Sequence, residues 1–268
     1  MPQQPADYSR QELMVIEAAR ALRDGEIVFV GTGLPLLATA LAQKRHAPNV
    51  AMVVESGVIA PQVLPTPISV SDPKVMHRAM KLGTLREVLG CLLQRGLIDV
   101  GMIGGAQIDR YANINSTLIG RPNAIRRRLP GSGGANDMAS HCPRLIVITH
   151  HERRRFPERC DYITSPGFLD GPGGRERAGL RKEFTVTVIT DLAVMENDPE
   201  TCALRILKVM PGVTIDAVRA ETGFRPEVAP GVTEVDPPAP EDLRVLRDEL
   251  DPARVYLKEE ETLPTSRR

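Results

Sequence analysis

At 268 residues the chain exceeds the size at which disulfides or metals are needed to hold a core, and its 34 basic and 34 acidic side chains balance, so no global field draws it to nucleic acid or to an anionic membrane. No apolar stretch approaches the roughly 20 residues that span a bilayer, and the polar start Met1-Pro2-Gln3-Gln4-Pro5 lacks the charged and apolar regions of a signal peptide, so a cytoplasmic protein is expected. Cys91, Cys142, Cys160 and Cys202 are dispersed without a Cys-x-x-Cys pair, which argues for reduced, structural thiols, and aromatics at 3% leave no stacking platform for single-stranded nucleic acid.

Ser9 and Glu12 have capping-box spacing, and Leu13, Ile16, Ala19 and Leu22 recur at helical spacing until Gly25, which predicts an amphipathic first helix. Glu26-Ile27-Val28-Phe29-Val30 reads as a strand, Gly31-Thr32-Gly33 as a turn and 34–44 as a helix. The apolar run Val50-Ala51-Met52-Val53-Val54 then makes a second strand that ends at Glu55, so the start of the chain spells a β-α-β unit with parallel strands. Residues 61–73, rich in proline and polar side chains, predict an irregular loop over the edge or mouth of the sheet. A helix is expected over 85–94, a strand over 98–103 running into Gly104-Gly105, and further strands over 145–148 and 185–189. Residues 164–179 are too dense in Gly and Pro for a regular element. A hairpin-like pair of strands, a helix around 215–221 and, after the linker 237–240, a terminal helix over 241–250 complete a single domain, 1–268.

Open α/β sheets bind ligands just beyond the carboxyl ends of their strands, and Glu55, opening the tight sequence Glu55-Ser56-Gly57, stands at such an end. Taken alone it reads more readily as a solvated loop carboxylate, since Glu is common at loop starts. Gly31-Thr32-Gly33 between a strand and a helix can cradle an anion with its N–H groups or simply supply a turn. It is no dinucleotide fingerprint, since Leu36 occupies the third glycine position, and no Gly-Lys-Ser/Thr follows for a P-loop. Gly131-Ser132-Gly133-Gly134-Ala135-Asn136 holds more glycine than a turn requires; small residues there let a substrate approach the backbone, and successive free amides make an oxyanion site, unless the loop is merely flexible.

Asp109, Asn113 and Asn115 fit local turn hydrogen bonds, a structural role. The clusters Arg126-Arg127-Arg128 and His151-Glu152-Arg153-Arg154-Arg155 suit ligand phosphates or a partner's acidic surface, although such runs are more often solvated faces. Neither His141 beside Cys142 nor His150 beside His151 has metal-ligand spacing, so no metal is assigned. No histidine is evidently paired with Ser56, and the Gly-x-Ser-x-Gly elbow is missing, which disfavours a serine hydrolase.

Five of these segments in the same order resemble the family I CoA-transferases, specifically B (β) subunits of the glutaconate CoA-transferase type. They are Gly31-Thr32-Gly33-Leu34-Pro35-Leu36, Val54-Glu55-Ser56-Gly57, Ile103-Gly104-Gly105-Ala106-Gln107-Ile108-Asp109, the run from Gly131 to Asn136, and Thr164-Ser165-Pro166-Gly167-Phe168-Leu169-Asp170-Gly171-Pro172-Gly173-Gly174-Arg175-Glu176-Arg177. The resemblance implies an open, mainly parallel α/β sheet flanked by helices, working with a homologous A (α) subunit in a hetero-oligomer. It implies that Glu55 attacks an acyl-CoA thioester, that Gly31, Gly33, Gly131, Gly133, Gly134 and Ala135 line the CoA and oxyanion site, and that coenzyme A is a substrate, with no cofactor permanently bound. A dicarboxylic acid such as glutaconate is the implied acceptor. Hydrolase and decarboxylase relatives lack the glutamate, so its presence favours transfer; an acyl-CoA hydrolase or decarboxylase, or a non-catalytic scaffold subunit, are the alternatives. The chain departs from the family pattern at 59–97 and after 180, in segments that shape pockets. Chemistry agrees with the implied role, because a carboxylate needs no partnered base to be ionised at neutral pH.

Overall fold

The computed structural model describes residues 8–62, 65 and 69–257. The polar start from Met1 to Pro5 and residues 63, 64 and 66–68 of the proline-rich segment lie outside the described residues. The first helix, α1 (Arg10–Arg20), forms as its capping box requires: the Glu12 amide donates to Ser9 Oγ at 3.1 Å and the Ser9 amide donates to Glu12 Oε2 at 2.9 Å. It is buried nearly all round rather than on one stripe, since Gln11 to Ala19 are all buried. Its polar positions are covered by distant segments. Arg247 donates to both Glu12 oxygens at 2.6 and 2.8 Å, and Lys208 donates to Glu17 at 2.7 Å. Such pairings let carboxylates stay inside a packed layer.

The β-α-β unit is β1 (Ile27–Val30), α2 (Leu34–Arg45) and β2 (Ala51–Val54), with parallel register from Ile27 opposite Ala51 to Val30 opposite Val54. Two short antiparallel strands, β3 (Val58–Ile59) and β4 (Lys81–Leu82), extend the sheet beyond β2. The helix expected over 85–94 is a wide-turned π segment at Glu87–Leu93, opened by a reciprocal pair between Thr84 and Glu87. Next come β5 (Val100–Ile103) and two ribbons, β6 (Gln107–Ile108) with β7 (Ile114–Asn115) and β8 (Leu118–Arg121) with β9 (Ala124–Arg128). Then follow α3 (Ala135–His141), β10 (Arg144–Ile148), a single turn α4 (Gly174–Arg177) inside the stretch expected to be irregular, and β11 (Thr185–Ile189). The chain continues through β12 (Ala193–Asn197), β13 (Leu204–Val209), α5 (Ile215–Ala220), β14 (Glu227–Glu234) and α6 (Pro240–Arg244), which widens into π turns at Val245–Leu250.

The sheet runs β14-β13-β12-β11-β10-β5-β1-β2-β3-β4, with β11, β10, β5, β1 and β2 forming a parallel centre. Of these, β1, β2 and β5 are almost wholly buried apolar runs, as strands covered on both faces must be, whereas β11 begins exposed at Thr185. Their carboxyl ends, at Val30, Val54 and Ile103, therefore stand side by side, and the loops that follow share one edge of the sheet.

Candidate active site

Glu55 follows β2 on that edge. The Gly57 amide donates to the Val54 carbonyl at 2.9 Å, closing a tight turn with Glu55 and Ser56 at its two central positions. Gly57 has φ +102°, and a Cβ there would overlap the Gly83 carbonyl, so only glycine turns the chain this sharply. Ser56 is exposed and Glu55 half-buried. The Glu55 carboxylate has no hydrogen-bond or ion-pair partner among the described residues.

The second glycine loop lies directly against it. A Cβ on Gly133 would stand 3.3 Å from Glu55 Oε2 and 3.6 Å from Oε1, and one on Gly134 3.6 Å from Glu55 Cδ. No described group accepts the amides of Gly133 and Gly134. The remaining expected donors differ. Gly131 donates to the Ser116 carbonyl at 2.7 Å and Ala135 to the Ser132 carbonyl at 3.0 Å, so both amides are already used. The same holds in the first glycine turn, where the Gly31 amide extends the ladder of β1 onto Met102 at 2.8 Å; a side chain there would press on that carbonyl, so Gly31 serves close strand packing. Gly33, at φ +92°, turns the chain into α2 and keeps its amide unused among the described residues.

What holds the second loop in place is only partly visible in the sequence. Gly131 is clamped by Ser116, whose backbone accepts its amide and whose hydroxyl donates to its carbonyl at 2.8 Å. Behind the loop, Asn136 at the start of α3 donates to Thr164 O at 2.7 Å. Arg175 spends all five of its N–H donors on carbonyls: Arg181 at 2.7 Å, Pro166 at 3.2 Å, Gly167 at 2.8 Å, and Ala139 and Ser140 of α3 at 3.0 and 3.4 Å. It lies 3.7 Å over the Phe184 ring, and burial pushes its pKa down to about 10. Asp109 and Asn113 do take the structural role expected of them. Asn113 donates to Leu169 O at 2.7 Å, accepts from Gly167 and Leu169 at 3.0 Å each, and rests on Asp109. Asn136 and Arg175 lie within the family motifs, yet their sequence surroundings assign them no role, because no local pattern says that a side chain will meet carbonyls from three separate segments.

Lysine has three donors in place of the five of arginine. Arg175→Lys is expected to lower stability by about 2–4 kcal/mol through buried carbonyls left unpaired, read as a fall of several degrees in the melting temperature of the assembled protein. An unchanged melting temperature would show that the clamp carries no stability.

The histidines stand apart from this chemistry. His151 is buried between the Thr190 and Thr222 hydroxyls, each at 3.0 Å, and stacks on Phe156; burial pushes its pKa down to about 4, so it stays neutral. Cys142 is buried with its pKa pushed up to about 12, an inert thiol. A cavity of about 920 Å³ opens at the opposite, amino-terminal edge of the sheet, lined by Arg144 and Thr185 at the starts of β10 and β11, and none of the expected site residues reaches it.

Residues 12–221 match the family model described as coenzyme A transferase. The chain is 35% identical over 257 residues to the B subunit of glutaconate CoA-transferase from Acidaminococcus fermentans, covering 94% of this chain and 96% of that one. It is 37% identical over 240 residues to the B subunit of 3-oxoadipate CoA-transferase from Pseudomonas knackmussii, covering 90% and 92%. The crystal structure of glutaconate coenzyme A-transferase from Acidaminococcus fermentans superposes with a TM-score of 0.89 at 34% identity, covering 96% of this chain and all of the matched chain.

Proposed function

The chain belongs to the coenzyme A transferase family, and on that premise we propose that it is the nucleophile-bearing subunit of a two-component enzyme that moves CoA between an acyl-CoA and a free dicarboxylic acid. The observation that carries this reading is the unpartnered Glu55 carboxylate lying against two glycines whose amides are unused. A Glu55 oxygen attacks the thioester carbonyl, and the tetrahedral oxyanion is met by the Gly133 and Gly134 amides. Expulsion of the CoA thiolate leaves an acyl-glutamyl anhydride. The thiolate then attacks the glutamyl carbonyl, releasing the first acid as its carboxylate and leaving Glu55 as a CoA thioester. The second acid reverses these steps and departs as the new acyl-CoA. Both relatives are named for dicarboxylic acids, which supports the acid class.

An anhydride must be kept from water, yet Ser56 and Gly133 beside Glu55 are exposed. The same side of the molecule presents Met76, Met80, Leu82 and Leu85, at 46%, 82%, 62% and 51% exposure, around Gly83, whose amide donates to Gly57 O at 2.8 Å. A homologous A subunit seated there covers the site and the apolar edge together. The purified chain alone is therefore expected to self-associate and to lack turnover, and co-expression with its cognate A subunit to restore both solubility and activity. Full turnover by the lone chain would sink this part of the reading. Transfer itself is tested by isotope exchange in the assembled complex. Label passing between acyl-CoA and free acid identifies a transferase, whereas net loss of thioester without exchange identifies a hydrolase.

A further inference from the structure

We propose that the arginine-bearing ribbon β8–β9 is the arm that holds the phosphates of the coenzyme A substrate, an inference that rests on the acyl-CoA reading of the Glu55 site. Residues 111–136 contain no Asp or Glu, and Arg121, Arg126, Arg127 and Arg128 fall within them. All four are exposed, and none has an ion pair among the described residues. Some exposed arginines elsewhere are paired, Arg110 with Glu158, Arg177 with Asp170 and Arg244 with Glu241. Others, Arg86, Arg95 and Arg225 among them, have no ion pair among the described residues either. What sets the ribbon apart is four such arginines within eight residues, in a segment with no acid. The other basic cluster is already used: Arg153 donates to the Ala220 and Thr222 carbonyls, and Arg154 and Arg155 both meet Glu152.

The ribbon is a shaped element. Gly120, at φ +103°, sits in a bulge where a Cβ would come within 2.6 Å of the Ala124 carbonyl, and the register slips there so that Arg126 is the extra residue of β9. Asp161 accepts the Gly120 amide at 3.0 Å and a Gln107 N–H at 3.2 Å, so its carboxylate braces the ribbon without pairing with the arginines. At the base, Leu129 donates to Thr117 O at 3.0 Å and Gly131 to Ser116 O at 2.7 Å. Two residues further on, Gly133 lies against Glu55.

The spacing suits a CoA ester. From the thioester sulfur to the first phosphorus of CoA is about thirteen bonds, comparable to four peptide units and roughly 15 Å when extended. Along the chain Arg128 is five and Arg126 seven residues from Gly133, at most about 17 and 24 Å of extended backbone, a range that includes the pyrophosphate of a CoA ester whose thioester lies at Glu55. Planar guanidinium forks bind phosphate oxygens in pairs.

The test uses the complex of the full chain with its cognate A subunit, carrying Glu55→Gln so that no turnover intervenes, and titrates CoA and, separately, pantetheine, which lacks the phosphates. The triple variant R126A/R127A/R128A is expected to weaken CoA on the order of tenfold or more, to leave pantetheine unchanged, and to flatten the dependence of CoA affinity on salt. R126K/R127K/R128K, keeping charge without the fork, should fall between. Unchanged CoA affinity, equal weakening of both ligands, or dissociation of the A subunit by the triple variant would each overturn the proposal, the last by assigning the ribbon to the partner. Failure of Glu55 to form a covalent adduct, with CoA affinity still lost in the triple variant, would remove the nucleophile and leave this phosphate arm standing.

Discussion

Incubating the assembled complex with acyl-CoA and no acceptor acid is expected to leave CoA joined to Glu55 as a thioester. Borohydride reduces a thioester to the alcohol and spares ordinary carboxylates. The treated enzyme should then be permanently inactive, and the peptide carrying Glu55 should have one oxygen fewer and two hydrogens more. The expectation follows from position: no described group competes for the Glu55 carboxylate, and Gly133 and Gly134, whose amides are unused, lie against it. Glu55→Gln is expected to reduce turnover on the order of 10⁴-fold or more, because the neutral amide does not attack and the residues of such a site act as a unit. Glu55→Asp draws the carboxylate back by one methylene, and a displacement of about 1 Å can cost on the order of a hundredfold. Ordinary turnover by Glu55→Gln, or an unmodified peptide from a complex still active after borohydride, would discard the mechanism.

Those features of the molecule that depend on neighbours in the chain could be read from the sequence. The capping box at Ser9 and Glu12 and the apolar runs of β1 and β2 fold as their local chemistry dictates, and they deliver Glu55 to the carboxyl edge of the sheet. What depends on residues far away could not be read. Nothing local to Glu12 and Glu17 shows that Arg247 and Lys208 will pair with them and let the first helix be buried nearly all round. The glycine motifs show the same limit more sharply. Gly31 and Gly133 both sit in loops rich enough in glycine to suggest an anion cradle, but Gly31 gives its amide to β5 while the Gly133 amide is unused, in a residue that lies against the carboxylate. Only a full account of where each N–H goes separates them. Arg175 is harder still, since its function as a clamp exists only where α3 and the loop after Thr164 meet.

Replacing Gly133 with Val separates catalysis from folding. Gly133 has φ +48°, a left-handed conformation that a β-branched residue tolerates poorly, so the substitution costs about 1–2 kcal/mol of stability from backbone strain alone. Because the residue is exposed, little else is lost from the fold. Its Cβ, however, would crowd Glu55 Oε2 at 3.3 Å and touch Oε1 at 3.6 Å, and the methyl groups would take up space beside the carboxylate that a thioester carbonyl needs. Obstruction of the nucleophile together with a displaced oxyanion donor is expected to lower turnover by roughly 10²- to 10³-fold. Gly131→Val is the matched control. Gly131 also has positive φ, at +100°, but a Cβ there meets nothing within 4 Å, so it imposes backbone strain without touching Glu55. Turnover per folded complex should therefore fall far more for Gly133→Val than for Gly131→Val, while their melting temperatures fall together. If the two variants lose activity in proportion to stability alone, the loop acts through the fold, and the amides of Gly133 and Gly134 are not the groups that meet the oxyanion.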